Sequence, residues 1–524
     1  MKIKYLILTA CLALTFESCE TADFEAAYTD PSKIANSTVE KQFSGFLQTN
    51  RDFVLPAYRN YFVVLRITLN RYTQSIGWVN GENQYVPGSS AIEDKWKNYY
   101  QLLTQYRELE KIYASLGEAD KADRKIYMLA ATTYLYDHTQ VMVDLHGDIP
   151  FSEAARLSQN GGDYSASYPK YDKAEDLYRK MLDDLKQYAD ELSTITVSNG
   201  IQAGFRTQDF LLKGDLTAWR RYVNSLRLRM LTRVSGTASL GARAKTEMAE
   251  IVGNPTKFPI VTSNAQNIQM TVFDLNSPIN SRGFQSGFED WNGNLASNVI
   301  INHMKTNRDP RLRFVFEPGT AAAGEYNGLD NTLNAAVQTE QIASNRLAIY
   351  NRSTLSRNQF FPGMLISASE VSLYLAEYYL SIGNDALART NYENSIRQSI
   401  DFYTRVRDIS NDNTTPKGAA VLPAEIDAYL ASEGVNWANA KDKLLMIASQ
   451  KWLHFNVVQP YQNWAEMRRL DAPTFRFWED ASNPQRTPPV RWFYADEEKN
   501  FNAPNYELVR SRDNLTTRIF WDLK

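Results

Sequence analysis

The sequence predicts a mainly α protein in which pairs of helices form a scaffold for a loop-rich face, with minor β. Three observations carry that expectation. Apolar residues recur at helical spacing over long stretches in the first 235 residues and again from Ile366 to the C-terminus. One stretch, from Ser369 to Phe402, reads as two helices joined by Gly383-Asn384. Between these regions, from about Val252 to Gly363, the texture changes to short β-branched pieces rich in Asn, Gly and Ser, the signature of loops with small strands and short helices.

The N-terminus reads as a processing segment. Met1-Lys2-Ile3-Lys4 is a short positive region, and Tyr5 to Phe16 is an apolar run of roughly the dozen residues a signal peptide uses, too short to span a bilayer. Phe16-Glu17-Ser18-Cys19 resembles a lipobox, with Phe16 and Glu17 in place of the usual aliphatic and small residues. The competing reading is an ordinary secretory signal with Cys19 near the cleavage point by chance. That reading leaves Cys19 as a lone thiol in an exported chain, because Cys11 falls within the removed segment. Acylation of Cys19 accounts for it, and each buried methylene of the anchor contributes about 0.8 kcal/mol. The expected division is a lipoprotein signal peptide over 1–18, a lipidated tether over 19–40 and one domain over 41–524. No later segment is apolar for long enough to cross a membrane.

Arg51 to Tyr72 and Asp94 to Leu116 are expected as amphipathic helices, the second on Trp96, Tyr99, Tyr100, Leu103, Tyr106, Leu109 and Ile112. Between them, Gly77-Trp78-Val79-Asn80-Gly81, Asn83, Tyr85, Pro87 and Gly88 make a loop that carries exposed-type aromatics. Lys125 to Leu145 reads as a long apolar helix stopped at Gly147, and Tyr171 to Leu192 as another, with Ala174, Leu177, Tyr178, Met181 and Leu185 on one face. Asp215 is the expected N-cap of a helix to Val234. The spacing of Ala376, Tyr379, Gly383, Ala386, Tyr392 and Ile396 resembles a tetratricopeptide repeat, where small residues let two helices pack closely. Lys125 to Leu145 with Tyr171 to Leu192 reads as a more diverged pair.

Net charge is only −3, and no Lys/Arg block stands out, so a nucleic-acid partner has no support. Aromatics are abundant, 12% of the chain, and part of that excess suits sugar recognition, since a pyranose face stacks on a ring. Enzymatic signatures are missing from the sequence: the four histidines form no HExxH or closely spaced metal pattern, and there is no GxSxG elbow or phosphate-cradling loop. Asp408 to Asp412 lacks the glycine and terminal glutamate of a calcium loop. The expectation is therefore no catalytic residue, no cofactor and no metal, although paired carboxylates for glycoside hydrolysis are recognised only by their separation in space.

Five stretches in order resemble the SusD/RagB nutrient-binding outer-membrane lipoproteins, particularly the SusD-like branch: GDIPFSEA from Gly147, WRRYVNSLRLRMLTRVS from Trp219, RDPRL from Arg308, FPGMLISASEVSLYLAEYYLSIG from Phe361, and a C-terminal run. The last comprises QKWLHFNVVQPYQNWAEMRR from Gln450, PPVRWFYADEEKNFNAPNY from Pro488 and Phe520-Trp521-Asp522. The resemblance implies one domain of tetratricopeptide-like helix pairs supporting a loop-rich ligand-binding face. It implies a lipid-anchored, surface-exposed outer-membrane protein that captures oligosaccharide, or oligopeptide as in the RagB branch, for a SusC-like TonB-dependent transporter. Residues such as Arg468, Arg469, Glu370 and Asp309 within these stretches read as buried ties between elements rather than ligand contacts. The ligand contacts implied by position are Trp78 and Trp291, with Tyr85, Asn292 and Arg352 as further candidates; Asn80 and Asp290 adjoin them, and Phe284 and Phe288 share the Trp291 segment. Two other classes stay open: a secreted glycan-active enzyme on a helical scaffold, and a scaffold that only grips another protein.

Overall fold

A computed structural model describes residues 37–524. Cys19, the signal segment and most of the expected tether lie outside the described residues. Eleven helices of ten or more residues form the frame: α1 Val39–Thr49, α2 Ser89–Ala114, α3 Glu118–His146, α4 Ala174–Thr194, α5 Asn199–Gln208, α6 Leu216–Val234, α7 Gly241–Gly253, α8 Ala368–Ser381, α9 Asp385–Asp408, α10 Lys443–Phe455 and α11 Pro460–Leu470.

Local chemistry sets their ends. Thr38 caps α1 by accepting from the Lys41 N–H, and Asp215 caps α6 by accepting from the Thr217 and Ala218 N–H groups at 2.8 and 3.1 Å. Ser367 and Glu370 form a capping box at the start of α8. Gly147, at φ +80°, turns the chain out of α3 where a side chain would be strained. α3 is buried along its whole length from Ile126 to His146, which makes it the central rod of the N-terminal half.

α8 and α9 are the tetratricopeptide-like pair, packed face to face through Leu373, Ala376, Ala388, Tyr392 and Ile396. The second expected pair is organised differently: α3 lies chiefly against α2, and α4 lies chiefly against α6. Six short strands make three two-stranded antiparallel ladders. β1 (Ile149–Pro150) pairs with β2 (Tyr171–Asp172), β3 (Ile268–Met270) with β6 (Gly363–Ile366), and β4 (Phe316–Glu317) with β5 (Ile349–Tyr350). The middle of the chain is loops, short helices and these ladders.

Arg51 to Tyr72 is not one helix. Arg51–Phe53 is a 3₁₀ turn, Asn60–Leu65 a π-helical turn and Leu69–Tyr72 a single α turn. Pro56 explains the break: it donates no N–H and disfavours the helical conformation at Leu55.

Charged residues expected to tie elements do so. Arg229 of α6 meets Glu370 of α8 and Asp137 of α3, each at 2.6 Å. Asp309 holds Arg311 at 2.6 Å, and Arg468 donates to the Val490 and Asp144 carbonyls. Arg469 pairs with Glu377 and Glu466. Buried charges of this kind are tolerated only when paired.

Candidate ligand-binding face

The stretch around the π-helical turn after Pro56 sets Tyr58, Phe62 and Arg66 in a row that ends on Trp78. Tyr58, 43% exposed, stacks on Phe62 with ring centres 5.0 Å apart and planes at 18°. The Arg66 guanidinium sits 4.0 Å from the Phe62 ring centre and 5.0 Å from that of Trp78, and Arg71 lies 5.7 Å from Trp78 on the same loop. Two stacked rings are thus followed by Arg66, Trp78 and Arg71, each cation attracted to the neighbouring π face. Burial pushes the Arg66 guanidinium down to about 10, against the pull of Asp290, so it remains a cation at neutral pH.

Arg66 also organises the segment that carries the second tryptophan. Its Nη1 donates to the Asp290 carbonyl. A Cβ on Gly293 would stand 2.3 Å from the Arg66 Cδ, so only glycine lets this turn close over the arginine. Trp291 and Asn292 between them adopt left-handed backbone, at φ +60° and +58°. Such a conformation is rare for a bulky residue and costs on the order of 1–3 kcal/mol at each position. It turns the Trp291 ring outward, where it is 83% exposed, and leaves Asn292 exposed beside it. Trp78 lies against Arg66, and Asp290 and Gly293, which flank Trp291 more than two hundred residues along the chain, close on the same arginine.

The remaining candidates fall elsewhere. Tyr85 is buried rather than presented at the surface: its hydroxyl donates to the Trp478 carbonyl at 2.8 Å, and its ring meets Phe477 edge-on, so it anchors the 77–88 loop. Phe284 and Phe288 are also buried, packed on Tyr61 at 4.5 and 5.9 Å between ring centres. Asn80 spends its side-chain amide on the Asn331 and Leu333 carbonyls. Arg352 is half-buried and engaged by Glu317, whose carboxylate accepts from its Nε and Nη2, both at 2.9 Å. That pair adjoins Arg357, which holds Glu289 just before Asp290. Tyr58, Phe62 and Arg66 were hidden to sequence reasoning because a continuous helix would bury one face of that stretch; their i, i+4 spacing after Pro56 was the available signal.

Among the described residues no group of three or more His, Cys, Asp or Glu side chains converges on a common point as a metal site would require. His146 and His454 are both pushed down to about 3, by burial first and then by Arg491 and Arg311 respectively. They serve the interior as neutral rings.

A family model described as starch-binding and associating with the outer membrane matches residues 26–495. The chain belongs to the SusD-like family. Among solved structures, a chitin-binding protein shares 21% identity at a TM-score of 0.72, covering 92% of this SusD-like chain and 100% of its own. A SusD homolog from Bacteroides fragilis gives 18% and 0.72 over 93% and 100% of the two chains. A SusD-like protein from Bacteroides thetaiotaomicron gives 20% and 0.66 over 92% and 99%. At such identities the likeness establishes the fold. No curated protein matches the chain. Membership makes this SusD-like chain a nutrient-binding protein of an outer-membrane-associated family, and no described helix is long and apolar enough to cross a membrane.

Proposed function

We propose that this SusD-like protein is a cell-surface, lipid-anchored receptor that stacks oligosaccharide on the Trp78–Trp291 face and hands it to a partner TonB-dependent transporter. The observation that carries the reading is Trp78 lying against Arg66 together with an outward, strained Trp291 whose flanking residues Asp290 and Gly293 close on the same arginine. A stacked ring contributes about 0.5–1.5 kcal/mol beyond the area it buries. Asn292 beside it supplies an amide for sugar hydroxyls. The Arg352–Glu317 and Arg357–Glu289 pairs form a polar edge to the same turn.

In this reading acylated Cys19 holds the molecule to the membrane, residues 19–40 act as tether, and the domain from 41 onward covers the transporter as a lid. Closure then traps the ligand between the loop face and the channel. The role is capture rather than bond cleavage.

The test is binding of the purified protein to arrays of polysaccharides and oligopeptides, with Trp78→Ala and Trp291→Ala alongside. One glycan class should bind, and each substitution should weaken it roughly tenfold or more, the equivalent of ~1.4 kcal/mol. Peptide binding indifferent to both substitutions would overturn the glycan assignment and place capture elsewhere.

A further inference from the structure

A pocket lies inside the helical frame, separate from the Trp78–Trp291 face. It has a volume of about 70 Å³, room for a molecule of four or five heavy atoms when one water needs ~10–15 Å³ on the same measure. Its floor is polar: Lys95 from α2, His138 from α3, Asn60 from the π-helical turn, and Tyr461 at the start of α11. Its rim is apolar, formed by the half-buried Phe53, Val54, Met364 and Val458.

The hydrogen bonds around this floor leave polar groups without partners, Asn60 Oδ1 as an acceptor and the others able to donate. Lys95 is 3% exposed and forms no ion pair with a described residue; its ammonium lies over the Tyr461 and Phe53 rings, 4.7 and 5.6 Å from their centres. The nearby carboxylates are already occupied. Asp137 accepts from Arg229 and Tyr222, at 2.6 and 2.7 Å. Glu370 accepts from Arg229, Tyr374 and Gln459. Arg229 in turn has its three donor groups on Glu370, Asp137 and the Leu365 carbonyl. Meanwhile His138 Nε2, the Tyr461 hydroxyl and Asn60 Oδ1 are buried with no hydrogen-bond partner among the described residues. Buried polar groups left unpaired cost about 1–3 kcal/mol each, and an unpaired buried charge costs more.

We propose that this pocket is a binding site for a short-chain carboxylate, with the carboxylate on the Lys95 ammonium, the His138 Nε2–H and the Tyr461 hydroxyl, and the alkyl end against Met364 and Val458. The reasoning is one of complement. A floor that offers His138 Nε2–H and the Tyr461 hydroxyl beside an unpaired cation matches acceptor oxygens that bear a charge. An apolar rim over so small a volume selects a tail of one or two carbons rather than a phosphate.

Protonation supports the same conclusion. Burial pushes Lys95 down to about 8, opposed by Asp137, so it is a cation at neutral pH and loses its charge in mild alkali. The other titratable groups facing it hold one state through that range. Burial keeps His138 neutral, Tyr61 and Tyr461 are pushed up, and the Asp137–Arg229–Glu370 cluster keeps Arg229 charged. Binding should therefore fade as pH rises through about 8 because of Lys95 alone.

The test is titration of the purified protein with sodium acetate and sodium propionate by calorimetry, at pH 6.5 and 9.5, with Lys95→Met and Met364→Trp. The expected result is saturable one-site binding at pH 6.5 that falls at least about tenfold at pH 9.5, in Lys95→Met, and in Met364→Trp, which fills the rim. Absence of saturation at pH 6.5 would mean that the pocket holds only water and overturns the proposal. So would binding that persists in a folded Lys95→Met. Should that variant fail to fold, binding that survives both pH 9.5 and Met364→Trp overturns it equally.

Discussion

Arg66 acts through its position more than its charge. Set between Phe62 and Trp78, it also holds the turn that ends at Gly293, so one side chain touches residues from two distant segments. Histidines show the opposite economy at the same scale. His146 and His454 are neutral because burial disfavours the imidazolium, and their pKa falls from 6.5 to about 3. The unfolded chain then binds more protons than the folded one between those values, so stability is complete above about 6.5 and is lost as pH falls towards 3. At ~1.4 kcal/mol per unit the two rings together weaken the fold by on the order of several kcal/mol in acid. Urea denaturation at pH 7, 5.5 and 4 should show the midpoint falling, and His454→Gln should flatten the slope; an unchanged slope would mean that the ring is already protonated in the fold. Trp78 and Trp291 stood out in the sequence as large aromatics among Gly and Asn; the fold half-buries Trp78 against the core and leaves Trp291 exposed. Tyr85 was misread for a physical reason: a loop needs its own anchor, and sequence does not say which of two neighbouring rings faces inward.

At the scale of elements, periodicity identified the long helices because each buries a stripe, and caps such as Asp215 marked their ends. What periodicity missed was backbone form. Tyr61, Val64, Leu65, Leu69 and Tyr72 are buried much as a helix would bury them, yet Pro56 and the π turn leave Tyr58 exposed and Phe62 half-buried over a buried Arg66. π-helical turns inside helical segments often mark functional sites. The 281–294 segment seats against this turn through glycines whose added Cβ would strike it: at Gly283 the Tyr58 nitrogen at 2.7 Å, at Gly287 the Tyr58 Cα at 3.0 Å. Gly293→Ala should therefore push the turn off Arg66 and move Trp291 while the helices remain. The expected outcome is unchanged far-ultraviolet circular dichroism with glycan binding weakened about tenfold. Unimpaired binding would show that Trp291 holds its place without Arg66.

Across the whole molecule, the stretches that resemble the SusD-like family mark the interior more than the ligand face, which is why the fold was plain from sequence and the ligand was not. WRRYVNSLRLRMLTRVS supplies Arg229 and Arg233, the Phe361 stretch supplies Glu370 and Glu377, and the Gln450 stretch supplies Lys451, Glu466 and Arg469. Arg229 and Glu370 pair with each other, and the other five meet in one knot. Glu466 takes Arg233 at 2.9 Å, Lys451 at 2.7 Å and Arg469 at 2.6 Å, and Glu377 shares the last two. α6, α8, α10 and α11 are thereby joined across more than two hundred residues of sequence. Charged groups this deep are stable only as a balanced set, and removing one partner of a buried pair costs about 3–5 kcal/mol because its counter-charges stay in place. Glu466→Gln keeps the shape but leaves Arg233, Lys451 and Arg469 with one carboxylate fewer. We expect it to lower stability by that amount in urea denaturation, with tryptophan fluorescence and circular dichroism losing signal together, because the knot spans both halves of the chain. Two separate transitions in the variant would mean that the halves fold independently and the knot merely joins them. A loss under about 1 kcal/mol would mean that water reaches Glu466 and screens the cations it faces.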